Sequence, residues 1–306
     1  MAKAHVPATN HTGSVGKGNK VFEYGYFDNI SNGTDALNIA KAAKGLSSAY
    51  LVVSLSTGGN DANPGVNLVF ATIKGMYDYL DANYAAIGLL VINVGAGTFT
   101  LVDSDPIKKV KILEQQFFGA GYLSSEIRFS DTLRAWNFLQ NTDFQNLTVR
   151  RISMNSYYST LYAAGCRLRL KGTVRIIAEG STQAAGMSAV YIIDGGIGLL
   201  TGNLIISGGA FDIALYAYQA RMTIGGTLEF PDEIPISLNG YAFADIFMSA
   251  NTTVNKGAAY QTGSIYANRG SRIIDYNSGA QFTSKLIGPS GRLYKDTNGS
   301  FISGVA

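Results

Sequence analysis

The sequence predicts an all-β fold: a parallel β-helix, a solenoid of stacked coils, with an amphipathic capping helix at its N-terminal end. Three observations predict it. One helical period lies between two apolar strands inside Tyr50–Leu101. Beyond Leu101 no second helical period occurs, and short strands alternate with Gly, Asn, Ser and Asp. A turn residue followed by a strand then recurs, with Asn146, Gly172, Gly202, Gly226 and Asn251 spaced 26, 30, 24 and 25 residues apart. Such a period arises when strands stack coil on coil while corner loops grow or shrink.

Composition narrows the classes of function. The chain has 306 residues, enough for one elongated domain or two compact ones. Only 15% are charged, while Tyr numbers 18, a balance that favours burial of surface in an oligomer. A net charge of +3 gives no sign of a nucleic-acid partner. The single cysteine, Cys166, excludes a disulfide framework within the chain and fits synthesis in a reducing compartment. No apolar run reaches the roughly 20 residues of a membrane span, and the N-terminus lacks a signal-peptide pattern.

Residues 1–20 are small, polar and basic without periodicity, and are expected to form a flexible arm. Both histidines, His5 and His11, fall there without Cys or acidic neighbours, a poor metal site. Residues 21–101 are expected to form an N-terminal cap of short helix, strand, capping helix and strand. Val21–Ile30 is an aromatic-rich strand or docking segment, and Ala36, Leu37, Ile39, Ala40 and Ala43 trace the short helix, ending near Gly45. Tyr50–Leu55 is the next strand. Phe70, Ile73, Met76, Tyr77 and Leu80 share one helical face, with Thr72 as the N-cap. Leu89–Val94 is a second buried strand.

The residues Val53, Ser54, Gly58–Asp61, Asn63–Gly65 and Phe70–Ile73, followed by Ile92, Val94 and Gly97–Phe99, carry a family resemblance. The segment resembles the entrance to a right-handed parallel β-helix of the pectin-lyase type, shared by many phage tailspikes and tail fibres. In that family the amphipathic helix seals the open end of the solenoid. The resemblance implies a fold far more than an activity, since lyases, hydrolases, esterases and inert adhesins all use it. It also implies a homotrimer, made in the host cytoplasm without a signal peptide and located on the virion. Its arm at 1–20 would attach to other virion proteins.

Residues 102–277 are expected to form the β-helix itself. Lys108–Leu113 and Glu126–Phe129 are strands, with a glycine turn at Phe118–Tyr122 between them. Neither Gly95-Ala96-Gly97 nor Gly119-Ala120-Gly121 has the third glycine or the following helix of a dinucleotide site. Leucine-rich and WD repeats are poor rivals, since the asparagine ladder and the Trp-Asp signature are missing; Trp136 is the only tryptophan. Gly270 lies 19 residues beyond Asn251. Alternation places Leu168 and Leu170 on one face and Arg167, Arg169 and Lys171 on the other. Residues 278–306 are a C-terminal cap or tail, with strand-like pieces at Lys285–Ile287, Arg292–Tyr294 and Ser300–Ile302.

Enzymes of this fold need clustered carboxylates. Between Asp131 and Asp275 no Asp-Asp, Asp-x-Asp or Asp-x-x-Asp motif occurs. Asp194 and Asp212, 18 residues apart, are the catalytic candidates, followed by Asp212 with Asp232 or Glu233 in the loop Phe230–Pro235. No metal and no cofactor is expected. A basic cluster of Arg150, Arg151, Arg167, Arg169, Lys171 and Arg175 forms a ladder on one outer wall. Like charge at strand spacing calls for a counter-surface: acids of a neighbouring subunit, solvent, or an anionic glycan. Tyr157, Tyr158, Tyr162, Tyr191, Tyr216 and Tyr218 are glycan-stacking or interface residues. Cys166 reads as a small core residue, since a nucleophile would need a histidine.

The reading that results is a virion structural or adhesin protein, a tail-fibre, tailspike or surface-spike subunit presenting a rigid trimeric rod. Its partners are itself, other virion proteins and bacterial surface polysaccharide, with no nucleic acid and no membrane insertion. A tailspike depolymerase, lyase or glycosidase, is the rival reading, and a cellular carbohydrate-binding β-helix is the third.

Overall fold

In the computed structural model, residues 47–101, 110–129, 136–152, 159–179, 187–208, 211–232, 234–249, 251–257, 264–275, 284–287, 292–295 and 301–303 are described. The arm at 1–20, the short helix expected at 36–45, Glu233, Tyr157 and Tyr158 fall outside them.

Aliphatic residues between Ser47 and Leu55 form the first strand, β1. A loop leads to a two-residue strand, β2 (Val69–Phe70), and the helix α1 (Ile73–Asn83) follows. Phe70 is therefore buried from a strand, not from the helix as its spacing suggests. Two hydrogen-bonding devices start the helix at Ile73. Thr72 accepts from Gly75 N at 2.9 Å, a cap of about 1 kcal/mol. Asp61 accepts from the backbone N–H groups of Ala71 and Thr72 and from the Thr72 hydroxyl. Ile73, Met76, Tyr77 and Leu80 are buried as a seal. The Tyr77 hydroxyl donates to Gln115 Oε1, and Gln115 Nε2 donates to Thr142 Oγ1. This polar chain inside the core ties the helix to the first coils.

The coils then follow. Strands β3 (Ala86–Val94) and β4 (Gly97–Leu101) lie below β5 (Lys111–Gly119) and β6 (Ser125–Phe129). β5 thus continues through Gln115–Phe118, well past the expected end at Leu113. Next come β7 (Trp136–Phe138) with β8 (Asn141–Arg151), and β9 (Leu161–Ala164) with β10 (Arg167–Ala178). Two coils with three strands each follow: β11 (Ser188–Ile193), β12 (Ile197–Leu200) and β13 (Asn203–Ser207), then β14 (Ile213–Tyr218), β15 (Arg221–Ile224) and β16 (Thr227–Phe230). A third comprises β17 (Ile236–Tyr241), β18 (Asp245–Met248) and β19 (Thr253–Lys256). Strands β20 (Ser264–Ala267), β21 (Arg272–Asp275), β22 (Ser284–Ile287), β23 (Arg292–Lys295) and β24 (Phe301–Ser303) complete the stack. Every described pairing is parallel except β23 with β24. The result is a right-handed parallel β-solenoid of about six turns, and α1 is the one helix among the described residues.

Each coil presents three faces. β12, β15 and β18 stack on one, β13, β16 and β19 on the second, and β7, β9, β11, β14, β17, β20 and β22 on the third. Alternation sends every second residue inward. Inward Phe117 and Phe144 stack at 5.0 Å, and Phe138 meets Phe144 edge-on. Leu168 and Leu170 are buried, as the alternation predicts.

The repeat markers prove to be one corner column. Asn146 sits at φ 55 and Gly172 at φ 56, and Asn146 Oδ1 accepts from Thr173 N at 3.0 Å. A Cβ on Gly202 would lie 2.0 Å from Gly172 O, and one on Gly226 would lie 1.9 Å from Gly202 O. Glycine recurs because backbones press together there. Two markers need correction. Thr227 pairs with Thr253, so Thr252, not Asn251, stands over Gly226. Gly270 belongs to a different corner, just before β21, which is why its spacing breaks the period.

Candidate functional site

The two outer walls named by the sequence prove to be chemically opposite. On the first, β8 and β10 stack in parallel with Asp143 opposite Arg169. Asp143 is 2% exposed and gathers three cations. Arg169 Nε donates to it at 3.0 Å, Lys171 Nζ lies at 2.9 Å, and Arg167 lies 3.6 Å from its other oxygen. Arg167 also pairs with Glu114 at 3.0 Å. One coil face over, Arg150 bridges Glu126 and Glu179, and Arg128 shares Glu126. Burial works against the Arg150 cation, but hydrogen bonds and charge from Glu126 and Glu179 outweigh it and raise its pKa.

Acids of the same chain thus supply counter-charge to Arg150, Arg167, Arg169 and Lys171, a source outside the three expected from the sequence. Glu114 and Glu126 lie upstream of the segment scanned for acids. Only the register reveals them: Glu126 lies one coil below Arg150, and Glu114 lies two coils below Arg167, across Asn141. Arg151 leaves the ladder altogether. It neighbours Arg150 on a strand and so points the other way, is 4% exposed, and donates from Nη1 to Ser159 O. Among the described residues Arg175 keeps one long contact, Nη2 to Ser207 Oγ at 3.5 Å, and its Nε has no hydrogen-bond partner.

The carboxylate candidates do not converge. Asp194 N–H bonds Tyr218 O, at the exit of β11, whereas Asp212 N–H bonds Met187 O, at the entry of β14. The six-residue length of β11 separates those two corners, about 20 Å at a strand's rise per residue. Asp212 and Asp232 share one corner in successive coils, but Asp232 Oδ2 accepts from Gly208 N at 2.7 Å and braces the turn. No group of three potential metal ligands occurs among the described residues. Cys166 is buried, with its Sγ 3.3 Å from Phe138 O, and burial pushes its thiol up to about 11.

The second wall is the outer side of β9, β11, β14, β17 and β20. Register places Tyr162, Tyr191, Tyr216, Asn239 and Tyr266 in one column. Tyr162 meets Tyr191 edge-on at 5.3 Å, and Tyr191 stacks flat on Tyr216 at 4.5 Å. A parallel column holds Tyr218 stacked on Tyr241 at 5.7 Å, with the Arg269 guanidinium 4.9 Å above the Tyr241 ring. All these tyrosines are half-buried. Burial first, then neighbouring tyrosines and Asp194, push the Tyr191 hydroxyl far up; burial and then Asp194 raise Tyr162.

Beside this wall runs a corner in left-handed conformation: Asp194 (φ 53), Gln219 (φ 48), Phe243 (φ 66) and Arg269 (φ 47). Phe243 is 77% exposed on a backbone that bulky residues avoid. Tyr241, Phe243, Tyr266 and Arg269 escaped the sequence reading. Tyr241 follows Tyr218 by 23 residues, one coil, so the repeat itself carried the signal.

The family-like residues at Asn60 and Asp61 have local structural tasks. Asp61 braces the helix start, and Asn60 Oδ1 accepts from Ala62 N and Asn63 N. Compared with known proteins, the chain matches no family model, no curated protein and no solved structure.

Proposed function

We propose that this chain is a phage virion appendage subunit, of a tail fibre, tailspike or surface spike, that attaches through its N-terminal region. It presents a rigid, trimeric β-solenoid for host-surface binding. The observation that carries this reading is the tyrosine wall. A run of stacked, half-exposed rings on a stiff sheet suits contact with sugar faces or a partner surface, and no other described face offers it. The resemblance at the helix cap supports the phage context. The charged wall supports a rod, since its charges are spent on holding successive coils together.

The separation of Asp194 from Asp212 weighs against the depolymerase reading for that pair. Two measurements on the full chain test the proposal. Light scattering should give a trimer mass. Purified protein should adsorb to bacterial cells or their surface polysaccharide, and Tyr191→Ala with Tyr216→Ala should weaken adsorption at least about tenfold. A monomer that adsorbs to no surface overturns the reading. Release of new reducing ends or unsaturated uronate, abolished by Asp194→Asn or Asp212→Asn, would establish the depolymerase instead.

A further inference from the structure

We propose that the tyrosine wall holds a subsite for one anionic pyranose, built from Tyr216, Asn239 and Tyr266 with Tyr218, Tyr241 and Arg269 beside them. The inference rests on the host-surface reading and names the chemistry of its ligand. Asn239 interrupts a column that is otherwise tyrosine from Tyr162 to Tyr266. Its neighbours Leu238 and Gly240 lie on the inner side of β17, so Asn239 points outward. It is nevertheless only 6% exposed, and its Oδ1 has no hydrogen-bond partner among the described residues. An orphan buried acceptor is unfavourable unless something donates to it. Asn is shorter than Tyr, so the outer halves of the Tyr216 and Tyr266 rings have no ring between them. Their backbones are two strand spacings apart, about 10 Å.

The second column supplies charge. Arg269 has no carboxylate within ion-pair distance among the described residues, whereas Arg272, three residues on, grips Asp245 with bonds of 2.7 and 2.6 Å. The Arg269 cation lies instead over the Tyr241 ring, continuing the Tyr218–Tyr241 stack. An anionic pyranose satisfies each open group together. Its C–H face lies on the tyrosine rings and its carboxylate or phosphate meets Arg269, while a shift of the neighbouring tyrosine rings opens the covered Asn239 Oδ1 to a ring hydroxyl.

The test is calorimetric titration of the full chain with three probes: an alginate hexamer, the same hexamer after carboxyl reduction, and a phosphomannan fragment. The alginate or phosphomannan should bind, and the more strongly bound of the two identifies the anion. The reduced hexamer should bind about tenfold more weakly than its acidic parent, and Arg269→Gln should remove that difference. Asn239→Leu should weaken all binding while leaving the melting temperature unchanged or higher, because it deletes an unpaired acceptor. Equal affinity for acidic and reduced hexamers, or no effect of Arg269→Gln, overturns the proposal. So does binding to no acidic probe. Loss of the oligomer mass in Arg269→Gln would assign the patch to a second copy of the chain and likewise overturn it. Adsorption to whole cells that persists through these failures would leave the host-surface reading standing.

Discussion

The arginine wall and the tyrosine wall are built on the same solenoid and the same strand spacing, yet they resolve opposite problems. Stacking coils places like residues over like residues. For charge this is unfavourable, and the chain answers by setting acids among the bases: Glu114, Asp143 and Glu126 stand beside Arg167, Arg169 and Arg150. For aromatic rings the same stacking is favourable, so tyrosines repeat without a partner of another type. The first wall pairs most of its charges within the chain, leaving Asp143 Oδ1 and the Nε atoms of Arg167 and Arg175 without hydrogen bonds among the described residues. The second leaves half-exposed rings and, among the described residues, one arginine without a carboxylate partner and one unpartnered amide oxygen. An outward column that repeats its chemistry and remains unsatisfied is the better place to look for recognition.

The comparison can be broken most severely at the cap, on which both walls depend. Ile73→Asp combined with Leu80→Asp puts two carboxylates into fully buried positions, and the expected outcome is no soluble, assembled protein. Soluble, fully assembled double mutants would show that α1 seals nothing. Next in size is Asp143→Asn, which strips three cations of a shared carboxylate. A loss of about 3 kcal/mol is expected in urea unfolding, with adsorption per folded molecule unchanged. A larger effect on adsorption than on stability would move recognition to the arginine wall. Tyr191→Ala should do the reverse: it costs about 1 kcal/mol of stability but strongly reduces adsorption.

The last test concerns Cys166, at the corner between β9 and β10, where the two walls meet, and its effect appears only in alkali. Its folded pKa is raised from 9.0 to about 11. The unfolded thiol therefore ionises first. The stability it contributes is complete below pH 9 and is lost as pH rises towards about 11. Urea midpoints at pH 8, 9.5 and 10.5 should fall in that order. Cys166→Ala should flatten the decline, and an equal decline in that variant would exclude the thiol as its source.

Much of the fold was legible because it depends on local regularities. The helix cap Thr72, the buried Met76 and Leu80, and the recurrent Gly172, Gly202 and Gly226 all leave marks at fixed spacing. The misplacement of Phe70 has a local cause: Asp61 takes the N–H groups of Ala71 and Thr72 and starts the helix at Ile73, although Phe70 fits the helical period. Arg151 was misread because a basic run looks uniform in sequence, while strand alternation divides it between two faces.

By itself the sequence determined a capped solenoid, its coil period and which residues are apolar enough to fill it. Periodicity is a property of neighbours along the chain, and the chain records it directly. Only the tertiary structure decided which acid neutralises which arginine, that Asp194 and Asp212 lie at opposite ends of neighbouring strands, and that Asn239 falls between two tyrosines. Those relations depend on register between coils. Loops of different length shift the register by single residues, and one residue's shift exchanges the inner face for the outer.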